Sequence, residues 1–487
     1  AEVLLLVTEE AATTFHILPL SVEGSVLSLA MVDPADLEAR EFVKRKTGLN
    51  LKIFYITLTD FNQALGQYKK NIKEIFEKII AENIQKSATK KEVDIEKMAV
   101  DLPVVKILDT LMEYAVAEGA SDIHFEAEEV AYLVRFRIDG ILRDVLTLPK
   151  EVQAAIVARI KILSQLKIDE HRTPQDGRFK FKIKESYIAL RVSILPAYYG
   201  ENTVLRILAE SARPLALEEL GVTGHNLELV KKNIKKPHGM ILVTGPTGSG
   251  KTTTLYIVLP ILNTTEVNIC TIEDPVEYGI KRVNQTQVNP AAGLTFAAGL
   301  RSLLRHDPNI IMVGEIRDSE TVDMAIQSAL TGHLVLSTLH TNDAAGAIPR
   351  FLDMGAEGFL VASTVNLVIA QRLVRKICSG CIEKYKPAPE ILGYLKTFVS
   401  EKELAQNFYR GKGCPECSSR GYKGRIGVYE ILEINDEVRT IISQRVSADE
   451  IAKAGLKNAM IPLISDGLDK ASGGITTIEE VLRVLRE

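Results

Sequence analysis

The sequence predicts a multidomain α/β protein whose largest domain packs helices on both faces of a parallel sheet. Three observations carry this. Near-continuous apolar runs at 241–243, 268–272, 310–313 and 334–337 are separated by helical stretches within residues 221–375, the pattern of strands buried on both sides. Between the first run and the next helix stands Gly245-Pro246-Thr247-Gly248-Ser249-Gly250-Lys251-Thr252, which fits a phosphate-binding loop at every fixed position. The chain's 487 residues exceed a single domain and suit three or four.

Composition narrows the class. With 46% hydrophobic and 25% charged residues the chain is an ordinary globular protein. Its net charge of -4 gives no overall pull toward nucleic acid or an anionic membrane. No apolar run approaches the roughly 18 residues that read as a bilayer span. The apolar start at 2–7 lacks a basic flank and a small-residue cleavage site, so it is not read as a secretory signal. A cytosolic location is the default expectation. Four of the five cysteines come in pairs, which in that compartment favours metal over disulfide.

The elements follow in order. Residues 1–68 read as a small α+β module, with strands at 15–20 and 26–32 and a helix over 35–47 stopped by Gly48. Residues 69–100 interleave lysines with glutamates and aspartates, a solvated helical linker rather than a nucleic-acid patch. Residues 101–210 form a second α+β module. A helix over 104–117 precedes an alternating strand at 132–138, and Asp139-Gly140 makes a hairpin turn. Further strands lie at 179–184 and 188–194. Arg135, Arg137, Arg143, Arg172, Arg178, Arg191 and Arg206 stand out here, several on strands where their side chains share a face. In the 221–375 domain, Pro260 is expected to end the helix behind the phosphate loop early. Residues 376–425 hold the paired cysteines, and 426–487 read as a helical tail.

The loop's chemistry is specific. Its glycines let successive backbone N–H groups cradle phosphate oxygens, and the helix behind aims its positive end at the same anion. Lys251 neutralises phosphate and the Thr252 hydroxyl suits Mg²⁺. At 309–315 an apolar strand ends in Glu315, placed to reach Mg²⁺ or to act on the attacking water. At 271–277 another strand ends in Glu273 and Asp274, a pair suited to a metal–water network. His333 and His340 bracket a third strand; each reads either as structural or as a sensor of the terminal phosphate. Cys378-x-x-Cys381 and Cys414-x-x-Cys417, with a 32-residue insert, match a closed Cys₄ zinc site, redox disulfides being the alternative. Cys270 lies in a core strand and reads as a small buried hydrophobe.

Taken together, ILVTGPTGSGKTTTLY, TIEDPVEY, IIMVGEIRD and TGHLVLSTLHTND, in that order, with ASDIHFE and HRTPQDGRF upstream, resemble the secretion ATPase superfamily of type II secretion and type IV pilus machines. The resemblance covers the whole chain and is most specific over 101–425. It implies a PAS-like module joined to a RecA-like P-loop motor, in a hexameric ring. Residues Gly245 to Thr252, with Thr253, would hold ATP. Mg²⁺ would sit at Thr252 with help from Glu273 or Asp274, and Glu315 would activate water. Arg191 and Arg206 look like the arginine fingers of the PAS-like module, unless they only pair with surface acids. His333 and His340 would report loss of the γ phosphate.

The N-terminal module and the Cys₄ insert are similar to the assembly and secretion branch rather than to retraction motors. VDPADLEAREFVKRKTGL resembles the tail of that branch's N-terminal domain. The leading part, which in some relatives binds a cyclic dinucleotide, is expected to be missing, so that ligand is not carried over. The implied partners are further copies of the chain, an inner-membrane platform protein and cytoplasmic assembly proteins, which would hold the motor peripherally at the membrane. A nucleic-acid translocase or DNA-uptake motor is disfavoured by the absence of Trp and the 6% aromatic content. A nucleotide-binding scaffold without turnover and a retraction motor are the other rivals.

Overall fold

Two periodicities sort the chain into two kinds of sheet, and they fall in different parts of it. The computed structural model describes residues 3, 6–7, 9–58, 60–61, 64, 81, 102–183, 186–208, 216–396, 407–444 and 447–486. Apart from residue 81, the stretch 69–100 read as a linker lies outside them. Contacts divide the chain into two units. One comprises Ala1–Glu210, Cys378–Ile382 and Gly411–Lys423; the other comprises Ser211–Ile377, Glu383–Arg410 and Gly424–Glu487.

The first unit begins with a three-stranded sheet of Ile17–Glu23, Val26–Met31 and Asn50–Tyr55. The last two strands run parallel because the helix Leu37–Thr47 crosses between them. That helix starts two residues later than expected: Asp33 takes the Ala35 N–H in a local turn, and the Asp36 carboxylate caps the first turn at Ala39. Gly48, at φ 69°, ends it as expected. Phe15 is not a strand residue; it closes the helix Glu9–Phe15, and the positive φ at His16 separates it from the strand.

Next comes a six-stranded antiparallel sheet. Its order is Ile141–Pro149, Ala131–Ile138, Ala120–Ala127, Gly200–Leu208, Ser186–Ala197 and Gln175–Ile183. Asp139 and Gly140 both have positive φ, the tight hairpin their identities demand. Alternate residues point to one face, where Phe125, Phe136, Leu190 and Leu205 pack with Ile107, Leu111, Ile156 and Ile160 of the helices Leu102–Ala117 and Gln153–Leu163. The intervening residues form the other face. There, cross-strand register aligns Arg178, Arg191, Arg206, Asp122 and Arg137 in one row.

The second unit is built on a seven-stranded sheet. Its order is Val283–Gln287, Ile269–Glu273, Ile310–Val313, Leu334–Leu339, Gly239–Thr244, Val365–Ile377 and Tyr422–Glu433. The first six pair in parallel. Successive residues feed opposite cores: Met240 and Leu242 join Ile311 and Val335, whereas Ile241 and Val243 join Met312 and Leu336. The four expected apolar runs are all strands of this sheet. Two further strands, Val365–Ile377 and Tyr422–Glu433, extend it past residue 375, so 426–433 is strand and the helical tail begins at Asp436. Pro260 does not end its helix, which runs from Lys251 to Leu262 with Pro260 inside. Pro260 forfeits the bond that its position would donate to the Tyr256 carbonyl, and the burial of Ile257, Val258 and Leu259 against the sheet offsets that loss. Among the described residues no helix is long and apolar enough to cross a membrane.

Candidate nucleotide site and cysteine cluster

In a parallel sheet the strand C-termini converge on one edge, and chemistry collects there. The strand Gly239–Thr244 turns directly into the loop at Gly245, and the helix Lys251–Leu262 leaves it. Gly248 and Gly250, at φ 83° and 86°, take the left-handed backbone that only glycine adopts without strain. The Lys251 ammonium is buried and donates to the carbonyls of Gly245 and Pro246 at 2.8 and 3.1 Å. Burial pushes its pKa down to about 8, with the Glu315 carboxylate opposing and the Arg372 guanidinium adding to the fall. Thr252 and Thr253 are exposed at the helix start.

Glu315 follows the strand Ile310–Val313 and sits within the electrostatic reach of Lys251. Its side chain is 14% exposed, held by Arg317 at 2.6 Å and approached by His340 Nε2 at 3.6 Å. Burial pushes the His340 imidazole below its usual range; Lys251 and Arg317 add to this and Glu315 opposes it. A neutral imidazole beside a carboxylate can accept a proton when charge at the site changes.

Glu273 ends the neighbouring strand but is buried, with its oxygens accepting from Tyr256 Oη, Thr271 Oγ1 and Gln285 Nε2. Burial and the Glu273 charge both push the Tyr256 hydroxyl far up, so Tyr256 remains a donor. Asp274, by contrast, is exposed. It is therefore the acid of the pair open to a hydrated ion, and Thr252 with Asp274 fits Mg²⁺ better than Thr252 with Glu273.

His333 is the correction at this edge. It precedes Leu334, whose partner is Gly239, whereas His340 follows Leu339, whose partner is Thr244. The two histidines are thus separated by the strand's length, roughly 20 Å at 3.3 Å per residue. His333 Nδ1 faces the Ser328 carbonyl at 2.8 Å. The structure places it at the end opposite the phosphate loop, in a local structural role.

Within the first unit, Arg206 Nε pairs with Asp122 Oδ1 at 2.8 Å, and Arg137 Nε approaches Asp122 Oδ2 at 3.8 Å. Asp122 is buried, while the Arg206 side chain is 58% exposed. Arg191 lies beside Arg206 in register and is half-buried. A buried carboxylate thus fixes the base of Arg206 and leaves its exposed remainder for an anion. Asp122 stands in the ASDIHFE segment, where nothing local marks it, because its partner lies 84 residues on.

Cys378, Cys381, Cys414 and Cys417 gather so that their sulfurs all lie within 4.8 Å of one another. The Cys378–Cys414, Cys381–Cys417 and Cys414–Cys417 distances are 3.7, 3.9 and 3.7 Å. A tetrahedral Zn–S₄ site with bonds near 2.3 Å needs about 3.8 Å between sulfurs. The Cys417 thiol is held down at about 7: burial raises it, but N–H donations from Cys414 and Gly421 outweigh that. All four are free thiols, and the donor set fits zinc. Arg420 and Ser418, in the same loop, reach Glu118 of the first unit's helical segment at 3.6 and 3.3 Å. Cys270 is buried in its strand, and burial raises its thiol, as a core residue requires.

Residues 97–483 match the family model for type II/IV secretion system proteins, and residues 1–74 match the MshEN domain. The chain is 42% identical over 481 residues to type II secretion system ATPase E of Vibrio cholerae, covering 98% of this chain and 92% of that one. It is 40% identical over 492 residues to the type IV pilus assembly ATPase PilB of Myxococcus xanthus, covering 99% and 86%. Among solved structures, the pilus retraction motor PilT with bound ADP aligns with a TM-score of 0.54 at 27% identity, over 77% of this chain and 96% of that one. The ATPase DotB of Legionella pneumophila shares the fold, with a TM-score of 0.57 at 22% identity over 78% and 95%.

Proposed function

The chain belongs to the type II/IV secretion system protein family, and from that premise we propose that it is a hexameric motor. ATP hydrolysis would drive the growth of a type IV pilus or of a secretion pseudopilus. Its enzymatic class is ATPase. The observation that carries the reading is the convergence of Lys251, Glu315, Arg317 and His340 beside the phosphate loop.

In this reading the loop at 245–252, with Thr253, holds the ATP phosphates through backbone N–H groups and Lys251. Mg²⁺, held by Thr252 and Asp274, would supply charge neutralisation at the β and γ oxygens. Glu315, kept in place by Arg317, orients the attacking water and takes its proton. His340 reads the charge lost when phosphate leaves, through its contact with Glu315. Arg191 and Arg206 place positive charge on the transferring phosphoryl group, with Asp122 aiming Arg206. Most of the acceleration is electrostatic positioning. Zn²⁺ at the four cysteines would be structural, since all four donors are protein sulfurs and no position is left open.

The motor would act from the cytoplasmic side on a platform protein of the inner membrane. The near full-length likeness to a secretion ATPase and a pilus assembly ATPase supports this. The retraction motor is the second reading, because the PilT likeness covers 77% of this chain and 96% of that one.

The test is Mg-ATP turnover by the purified chain as a function of concentration, with mass followed by light scattering. Specific activity rising in step with a six-fold mass supports the ring. Equal activity from a monomer overturns it. Metal analysis of the same sample should return one zinc per chain, and none would remove the Zn²⁺ assignment.

A further inference from the structure

A further strand passes the phosphate loop in mid-course rather than ending beside it. The strand Val365–Ile377 lies beside Gly239–Thr244, with Thr244 opposite Ala370. Gln371 and Arg372 therefore run alongside the loop itself. A side chain at Gly245 would meet the Gln371 carbonyl at 2.5 Å and Arg372 Nη1 at 3.2 Å. One at Gly250 would meet Gln371 Nε2 at 2.8 Å. Gln371 Oε1 also accepts from Thr254 Oγ1, in the first turn of the helix, at 2.6 Å. These two residues are the floor on which the loop rests.

Arg372 is buried. Its Nη2 donates to the Asn342 carbonyl at 2.8 Å and its Nη1 to the Gln371 carbonyl at 3.1 Å. Asn342 lies two residues after His340. Between them, Thr341 bonds Thr244 Oγ1 through its hydroxyl at 2.6 Å and its N–H at 2.8 Å. The segment continues to Ala344, whose N–H donates to buried Glu430 at 2.9 Å. The charged groups that feel Arg372 include Lys251 on the loop's helix and Glu430 on the edge strand. A guanidinium never gives up its charge here. Burying it beside a lysine that must itself bind an anion is costly for stability alone.

We propose that Arg372 is a positioning residue of the nucleotide site: its guanidinium straps the segment that follows His340 to the floor of the phosphate loop. His340 is thereby held against Glu315, and the loop is held against its strand. The inference rests on the reading of residues 245–252 as the nucleotide loop.

Mg-ATP turnover by the full chain, with Arg372→Gln and Arg372→Lys, tests this, with kcat and KM taken separately on both sides of pH 8. Lysine keeps the charge but replaces the two fixed nitrogens that make these bonds with one; glutamine loses the charge. Both variants are expected to lower kcat by about 10-fold to 10²-fold, the scale of a small misplacement of reacting groups, with KM changing far less. Burial is what chiefly depresses Lys251, but only the glutamine variant removes the neighbouring cation that adds to the fall, so only it should move the alkaline limb of kcat/KM upward. Should Arg372→Gln fail to fold, the kcat of Arg372→Lys still decides. The strap is overturned if kcat in the lysine variant, or in folded Arg372→Gln, stays within twofold of the parent. An inactive parent chain would instead remove the nucleotide reading itself.

Discussion

The two large sheets solve the same problem in opposite ways. The parallel sheet builds its site at an edge: Glu315 and His340 come just after strand ends, Lys251 opens the helix beyond the loop that follows a third, and neighbouring strands bring them together. The antiparallel sheet builds on a face: Arg178, Arg191, Arg206, Asp122 and Arg137 come from five strands and meet only through register. An edge site is made of loops and helix ends, so each part can move when charge changes. A face site is made of strand side chains, fixed by the hydrogen-bonded ladder beneath them. The edge therefore suits the reacting and sensing groups, and the face suits a rigid array of cations.

The sharpest way to break this comparison is to remove the face. Arg206→Ala is expected to lower kcat by about 10³-fold or more, the scale of a lost arginine finger. Arg137→Ala, from the same row, should leave kcat within about threefold, as a surface pair contributes little. Equal losses from both would mean that the row acts as a diffuse field rather than through one directed residue. At the edge, Glu315→Gln is expected to cost about 10² to 10³ in kcat while ATP still binds. Retained turnover in that variant would pass the water-activating role to another acid.

The edge also predicts a pH dependence. Lys251 is held at about 8, and its charge is complete below that value. As pH rises through 8 the ammonium is lost, and kcat/KM, which reports the free enzyme, should fall. A profile flat through pH 9 would show that the charge is not what the loop uses.

The edge was legible in the sequence because its parts are contiguous. The phosphate loop, the acid after each apolar strand and His340 all stand at a recognisable offset from a strand end. The face was legible only as a list of arginines. Which of them align depends on register across strands, and the buried anchor Asp122 is a single acid among many. Arg372 and Gln371 carry no local signal for a related reason. They interrupt the strand Val365–Ile377 with polar residues, and only the close approach of Gly245 and Gly250 shows what those residues support. The cysteine spacing announced its cluster, because a four-thiolate site is a local signature. His333 misled because a motif records order along a strand, not which end faces the ligand.

Asp122 sharpens the comparison from the face. Asp122→Asn keeps the shape but removes the charge that fixes Arg206 Nε. About a 10-fold loss in kcat is expected, the scale of a supporting partner of a site residue. The loss should vanish in an Arg206→Ala background, where there is nothing left to aim. Additive losses would mean that Asp122 supports the sheet and not the arginine.

The smallest expected effect is at His333, and it tests the edge itself. Its ring faces Ser328 and Thr331, at the end of the strand where Leu334 pairs with Gly239. His333→Ala should leave kcat and KM within about twofold, at the cost of one partly exposed hydrogen bond, about 1 kcal/mol of stability. His340→Ala should reduce kcat about 10-fold, because its ring meets Glu315. The pair occupy the two ends of one strand, so every difference between the variants is a difference between ends. If His333→Ala proved the more damaging without loss of stability, sensing of phosphate would have to pass through the opposite edge of the sheet, and the division between reacting edge and rigid face would fail.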